Sequence, residues 1–211
     1  MMELPVTKAF ELEPEILKKV FNCNFVRNKD SKHDNITEFN SRELSQEQEL
    51  NSLLRYVDRT FELTGRGYKF QKLWLVESKP KDIVIGELPY IPHIDYNRFL
   101  KVMIYVDRVD EFCGPFSAYR IDPNKLEEMR LSLKYDYKTN KENRINAFPL
   151  MEYKAFTGAE GTMILFDTNC PHFAGEVEVG YSRRVFRFDF SLPEWDRRDG
   201  FVSRVRRKLK I

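Results

Sequence analysis

The period of the apolar residues changes near Gly67. Before it, Leu50, Leu53, Leu54, Val57 and Phe61 recur at three- and four-residue intervals, which places them on one face of a helix. Ser45 and Gln48 have the spacing of a capping box, so the pattern predicts a helix from Ser45 to Leu63, closed by Gly65 and Gly67. A shorter helix is expected at Glu13–Phe21, with Pro14 near its start, where a missing N–H costs little. The polar stretch Asn28–Asn40 reads as loop. After Gly67 the segments Lys72–Ser78, Asp82–Leu88, Phe99–Val106, Thr162–Asp167 and Arg183–Phe190 read as strands. They are short, rich in β-branched and aromatic residues, and bounded by Pro, Gly, Asp or Asn. One helix is expected among them at Pro123–Leu133, with Asp122 as N-cap and Pro in its first turn. The stretch Tyr135–Phe148 is polar and aromatic and reads as a long loop, a feature that is often functional in a compact domain. Together with Tyr153 and Phe156 it supplies candidates for an aromatic lid.

Strands this numerous, without regular helices between them, predict an antiparallel sandwich or barrel with flanking helices. The 211 residues fit one domain: 1–67 as a mainly helical support, 68–193 as the β core and 194–211 as a basic tail. Composition narrows the class. Hydrophobic residues make up 42%, with 17 Phe and 10 Tyr, which excludes wholesale disorder. No apolar run approaches the roughly 18–20 residues of a membrane-spanning helix. Met1–Phe10 lacks the basic-then-apolar pattern of a secretory signal. Cys23, Cys113 and Cys170 are odd in number and widely spaced, which argues against a disulfide framework and against a four-cysteine zinc site. The expected compartment is the cytoplasm. Net charge is +2, but residues 197–210 carry seven basic side chains and one acid; setting that +6 aside leaves the rest at −4. Contact with nucleic acid or an anionic membrane is therefore expected only through 197–211, and the alternative for that segment is a solvated helix docked on the domain.

The chemistry-bearing residues cluster in the strand region. His93 and Asp95 stand at i and i+2, so in extended backbone they point the same way and can converge on one ion. His172 lies 79 positions after His93, just past a predicted strand, which leaves room for strands to wrap and bring it back. Two imidazoles and one carboxylate are the ligand set of the non-haem Fe(II) facial triad. Arg183 follows His172 by 11 residues at the start of the next strand. Three protein ligands leave open positions on an octahedral ion, where an oxo-acid can chelate, and a buried Arg would fork onto its far carboxylate. Arg184 would take this role if the register were shifted by one, because neighbouring side chains leave opposite faces. Against both stands a reading of Arg183, Arg184 and Arg187 as solvated edge charges. Lys101 and Tyr105 share one face of a strand and are candidates for the cosubstrate pocket, with a structural role as the alternative. Cys170 reads as core or pocket wall.

His93-x-Asp95, His172 and Arg183 resemble the iron- and 2-oxoglutarate-binding pattern of the Fe(II)/2-oxoglutarate-dependent oxygenases, and most resemble the phytanoyl-CoA dioxygenase-like branch. Supporting segments are Leu100–Val106, Cys113-Gly114-Pro115-Phe116, Gly161–Thr168 leading into His172, and Arg183-Arg184-Val185. The likeness runs over roughly Leu88–Pro193. Where such proteins often carry Pro-Gly-Ser-His after the Gly-Pro turn, this chain has Ser117-Ala118-Tyr119-Arg120-Ile121-Asp122. The resemblance implies a double-stranded β-helix, a jelly-roll or cupin-like fold, with the metal at its mouth between the sheets. It implies Fe(II) on His93, Asp95 and His172, and 2-oxoglutarate on the metal with its distal carboxylate on Arg183. It also implies dioxygen and a small-molecule substrate as partners, and hydroxylation of an unactivated C–H bond with release of succinate and CO2. The carboxylate ligand Asp95 stands where related halogenases bind chloride, which favours hydroxylation. Two other classes stay open: a metal-binding barrel without turnover, acting as a sensor or binding module, and an interaction protein working through its basic tail.

Overall fold

The computed structural model describes residues 4–9, 14–25, 29–30, 34–80, 89–95, 97–119, 121–127, 152–193 and 195. Ten strands, β1 (Val6–Ala9), β2 (Lys29–Asp30), β3 (Asp34–Asn40), β4 (Lys69–Ser78), β5 (Leu100–Tyr105), β6 (Phe116–Tyr119), β7 (Tyr153–Phe156), β8 (Thr162–Asp167), β9 (His172–Ala174) and β10 (Arg183–Ser191), form two sheets among these residues. The larger has the order β1-β8-β5-β10-β4-β3-β2, the smaller β7-β6-β9, and every pairing is antiparallel. This is the predicted two-sheet β architecture. Helices α1 (Pro14–Asn24), α2 (Ser41–Leu44) and α3 (Gln48–Phe61) flank it.

Period-two alternation divides the large sheet into a dry face and a chemical face. On β10, Phe186, Phe188 and Phe190 point outward and pack with Leu17 and Phe21 of α1 and Leu50 and Val57 of α3 in one core cluster. Each such buried Leu or Phe contributes roughly 1.5–3 kcal/mol. On the same strand Arg183, Val185, Arg187 and Asp189 turn inward and line a cavity facing the small sheet. Packing of the amphipathic α3 stripe against the sheet thus frees the opposite face for a site.

Several local expectations are corrected. Ser45 does not open α3; it closes α2 as its C-cap. The capping box lies at Asn40 and Glu43 instead. Asn40 Oδ1 accepts from the Arg42 and Glu43 N–H groups, and the Asn40 N–H donates to Glu43 Oε2 at 2.8 Å. Helix α3 begins at Gln48 after Glu47, which makes no side-chain cap, and ends at Glu62 in the left-handed region. The polar stretch read as loop contains β3, which pairs with β4 from Asp34↔Ser78 to Asn40↔Lys72. Ladder pairing with an apolar neighbour here overrides weak strand propensity. The residues before Gly67 therefore add three strands to the large sheet as well as helices. The expected Pro123–Leu133 helix opens as a 3-10 turn at Pro123–Leu126 under the Asp122 cap, and the rest of it lies outside the described residues. So do Asp82–Leu88, Tyr135–Phe148 and the tail 194–211 apart from Trp195.

Gly114 lets the chain entering β6 pass close to the chain leaving β9. Its φ is +66°, and a Cβ there would stand 2.4 Å from the Gly175 carbonyl oxygen, so only glycine permits this approach before β6. Among the described residues, no helix is long and apolar enough to cross a membrane.

Candidate metal centre

The backbone brings His93 and His172 together. The His93 N–H donates to the His172 carbonyl at 3.0 Å, and the His172 N–H donates to the His93 carbonyl at 2.9 Å. This isolated antiparallel bridge extends the small sheet by one segment beyond β9. Directly opposed residues share a face, and the two imidazole centroids lie 4.5 Å apart. Two residues on, the Asp95 N–H donates to the Thr168 carbonyl at 3.2 Å, which fixes the carboxylate beside both rings.

Each imidazole is set by the chain next to it. His93 Nδ1 lies 2.7 Å from the Ile91 carbonyl and His172 Nδ1 2.9 Å from the Cys170 carbonyl. A carbonyl can only accept, so each Nδ1 carries the proton and each Nε2 keeps its lone pair. Both Nε2 atoms lie 3.7 Å from the same atom, Asp95 Oδ1. The three ligand atoms all fall within 4.8 Å of one another. Burial, and then the neighbouring His93, push the His172 pKa down to about 3, so the ring is neutral near pH 7. Burial acts to raise the Asp95 carboxyl, but Lys101 and the two imidazoles outweigh it and hold it well below the usual carboxylate range.

Lys101 is the cation responsible. Its side chain is buried on β5, and Nζ donates to Asp95 Oδ2 at 2.5 Å. Asp95 therefore presents Oδ1 to the histidines and Oδ2 to Lys101. Sequence reasoning offered Lys101 for the cosubstrate pocket, with a structural role as the alternative; it lines the cavity, and its described contact is with the carboxylate ligand. Tyr105 has a different place. Its hydroxyl donates to the Phe156 carbonyl at 2.6 Å and accepts from the Phe116 N–H at 3.2 Å, and burial pushes its pKa up to about 12. Tyr105 is not among the described residues that line the cavity.

A second buried ion pair braces the ligand segments from behind. Arg98 donates to both oxygens of Asp167, with Nη2 2.7 Å from Oδ2. The Phe99 N–H donates to Thr168 Oγ1 at 2.8 Å. Asp167 also accepts from the Asn169 N–H at 2.9 Å. The segment leaving Asp95 and the turn before His172 are thus clamped to each other. Cys170 is fully buried, as read, with its thiol pKa pushed up to about 12 by burial.

The cavity above the triad has a volume of about 500 Å³ and is walled by both sheets. Arg183 lines it and is 6% exposed. Nη2 donates to Ser78 Oγ at 3.3 Å, whereas Nη1 is buried with no hydrogen-bond partner. Arg184 leaves the opposite face and forks onto Asp107 at 2.7 Å from both Nε and Nη2. The register question raised by the sequence is answered by this alternation: Arg183 faces the cavity. Arg187, Asp189 and Trp74 also line it. Sequence reasoning took Arg187 only as a possible solvated edge charge and Trp74 as core, and gave Asp189 no role, although a count in steps of two from Arg183 reaches both β10 residues.

The donor set suits a divalent ion: the Nε2 atoms of two imidazoles and one ionised carboxylate oxygen. An orphaned buried guanidinium N–H in the same cavity suits an anion of small size. A buried N–H without a partner is costly, and a carboxylate would satisfy it.

No protein-family model matches the sequence. No curated protein matches it either. Solved structures do. The non-heme alpha-ketoglutarate-dependent carbocyclase SnoK of nogalamycin biosynthesis is similar with a TM-score of 0.65 and 15% identity, over 96% of this chain and 86% of that one. The epimerase SnoN of the same biosynthesis is similar at 0.59 and 13%, over 90% and 77%. HygX from Streptomyces hygroscopicus, solved with nickel and 2-oxoglutarate, is similar at 0.57 and 8%, over 90% and 84%. With two antiparallel sheets facing across one cavity, the chain has the jelly-roll, cupin-like fold of the 2-oxoglutarate-dependent oxygenases.

Proposed function

We propose that the protein is a non-haem Fe(II)- and 2-oxoglutarate-dependent oxygenase that hydroxylates an unactivated C–H bond of a small molecule. One observation carries the reading: Arg183, buried and with Nη1 left without a hydrogen-bond partner, lines the cavity where His93, Asp95 and His172 converge. Either feature alone has a structural explanation. Together they match an ion that is chelated by a dianionic keto acid. When bound, iron and 2-oxoglutarate supply the oxidising chemistry, with dioxygen as oxidant and succinate and CO2 as products.

The chain's own residues bind and orient. His93 and His172 offer Nε2 in tautomers fixed by Ile91 and Cys170. Asp95 would offer Oδ1, because Lys101 holds Oδ2. Arg183 receives the far carboxylate of the cosubstrate, with Ser78 steadying the guanidinium. Phe116 and Phe166 lie tilted against the His172 ring, with centroids 5.9 and 5.3 Å away, and cover one side of the site. SnoK and SnoN, by their names a carbocyclase and an epimerase, indicate that this fold serves several outcomes, and the carboxylate ligand favours hydroxylation over halogenation.

The test is an anaerobic titration of the apo-protein with Fe(II), then with 2-oxoglutarate. The expected result is a visible charge-transfer band that needs the keto acid and is weakened in Arg183→Ala. Iron binding without such a band would overturn the cosubstrate assignment and favour a metal-binding barrel without turnover.

A further inference from the structure

The cavity has a second arginine that neither the metal nor the cosubstrate reading uses. Arg187 lies four residues beyond Arg183 on the same inward face of β10, about 13 Å along an antiparallel strand. In the register it stands opposite Met103 on β5 and Trp74 on β4. The neighbouring inward residue, Asp189, stands opposite Lys101, the residue that holds Asp95. Arg183 and Arg187 thus stand two inward steps apart on one strand and line the same cavity as His93, Asp95 and His172.

Its surroundings hold the guanidinium in place without using it up. Nε donates to Asp189 Oδ1 at 3.2 Å, and Nη2 makes a long contact to Asp189 Oδ2 at 3.5 Å. Asp189 is itself held: its Oδ2 accepts from Trp74 Nε1 at 2.9 Å, and its side chain is 6% exposed. The Arg187 guanidinium carbon lies 4.7 Å from the Trp74 ring centroid, which braces its flat face. Among the described residues Asp189 is the one carboxylate on Arg187, and Nη1 makes no hydrogen bond. The side chain is 26% exposed, against the buried Arg183. A guanidinium pinned along one edge and on one face, on a residue that lines a cavity, is preorganised to bind an oxyanion.

We infer that Arg187 is the substrate-recognition residue, and that the primary substrate carries an anionic group, a carboxylate, sulfonate or phosphate, which docks on the Nη1 edge. Met103 and Trp74 supply the apolar wall along the rest of the molecule. This rests on the oxygenase reading, in which Arg183 is taken by the cosubstrate and the reacting carbon must lie beside the triad. It explains why one cavity holds two arginines, one buried and one partly exposed. A neutral hydrocarbon substrate would leave the Arg187 edge desolvated and unpaired.

Trp74 makes the site readable by fluorescence. The protein in a Trp195→Phe background, loaded with Mn(II) and saturating 2-oxoglutarate, is titrated with inorganic sulfate at constant ionic strength, with chloride as the control. A saturable change in Trp74 emission is expected with sulfate and not with chloride. Arg187→Gln should weaken sulfate by at least about tenfold, the loss of one charged hydrogen-bond contact. Arg187→Lys keeps the charge without the fork and should fall between the two. It also decides the matter if the glutamine variant does not fold. Equal sulfate affinity in wild type and both variants, or no saturable change in wild type, would overturn the inference. Sulfate that competes with 2-oxoglutarate would also overturn it, because the anion would then be at Arg183. The visible band of the Fe(II) protein with 2-oxoglutarate is recorded separately. Its absence would defeat the cosubstrate reading, whereas its presence with no sulfate response would defeat only the Arg187 assignment.

Discussion

His93 and His172 are a backbone pair before they are a ligand pair. Each donates its N–H to the other's carbonyl, at 3.0 and 2.9 Å, and each ring is then oriented by a carbonyl two residues upstream. The site is therefore part of the small sheet's hydrogen-bond ladder, and its ligand atoms are placed by strand pairing rather than by flexible side chains. Replacing either imidazole leaves that ladder intact while removing one donor. His93→Ala and His172→Ala should fold and lose tight Fe(II) binding, because two remaining ligands cannot hold a labile divalent ion. Calorimetric titration with Mn(II) or Fe(II) checks this, and wild-type affinity in both variants would remove the triad assignment.

Arg183 and Arg184 separate two roles on adjacent residues. Arg183→Ala should keep the metal and weaken 2-oxoglutarate by roughly 2–5 kcal/mol, the scale of a lost buried charge contact. Arg184→Ala should leave the keto acid binding unchanged. Its cost is in stability, about 1 kcal/mol, since its fork to Asp107 is partly exposed. Titrating both variants with 2-oxoglutarate, and unfolding both in urea, gives the two comparisons.

Lys101→Met tests the counter-charge at Asp95. Removing one partner of a buried pair leaves the other uncompensated, at a cost of roughly 3–5 kcal/mol. A divalent ion on Asp95 supplies a new positive charge, so Mn(II) should recover part of that loss. The measurement is urea unfolding of wild type and variant with and without Mn(II). An equal deficit under both conditions would contradict the role given to Lys101.

Acid should destabilise the apo-protein in a defined window. The His172 pKa is about 3 in the folded chain, against about 6.5 for a free imidazole. Between these values the unfolded chain binds the extra proton, so stability is complete above about pH 6.5 and falls as pH drops toward 3. The depressed Asp95 carboxyl acts in the same direction below about pH 4. One such histidine contributes a slope of up to about 1.4 kcal/mol per pH unit. Unfolding free energies measured from pH 7.5 to 4 should show this slope, and His172→Asn should reduce it.

The sequence by itself determined the two periodicities, and with them the strands β4, β5, β8 and β10 and the apolar stripe of α3. Those signals are local: side-chain alternation and helical spacing act within a few residues. His93-x-Asp95 is legible for the same reason, since i and i+2 share a face in any extended segment. His172 and Arg183 were legible through their spacing in a resembling pattern. Strand β3 was not, because Asp34–Asn40 is polar and becomes a strand only when β4 offers it a partner. The capping box at Asn40 and Glu43 was hidden for the same reason, as its place depends on where β3 ends. Tertiary structure alone decided which arginine faces the cavity, since one step of register exchanges Arg183 with Arg184. It alone seated Lys101 on Asp95, sent the Tyr105 hydroxyl to backbone groups, and placed Arg187 between Trp74 and Met103. These are contacts between residues from 6 to more than 100 positions apart, and their geometry is set by which strands pair and at which register.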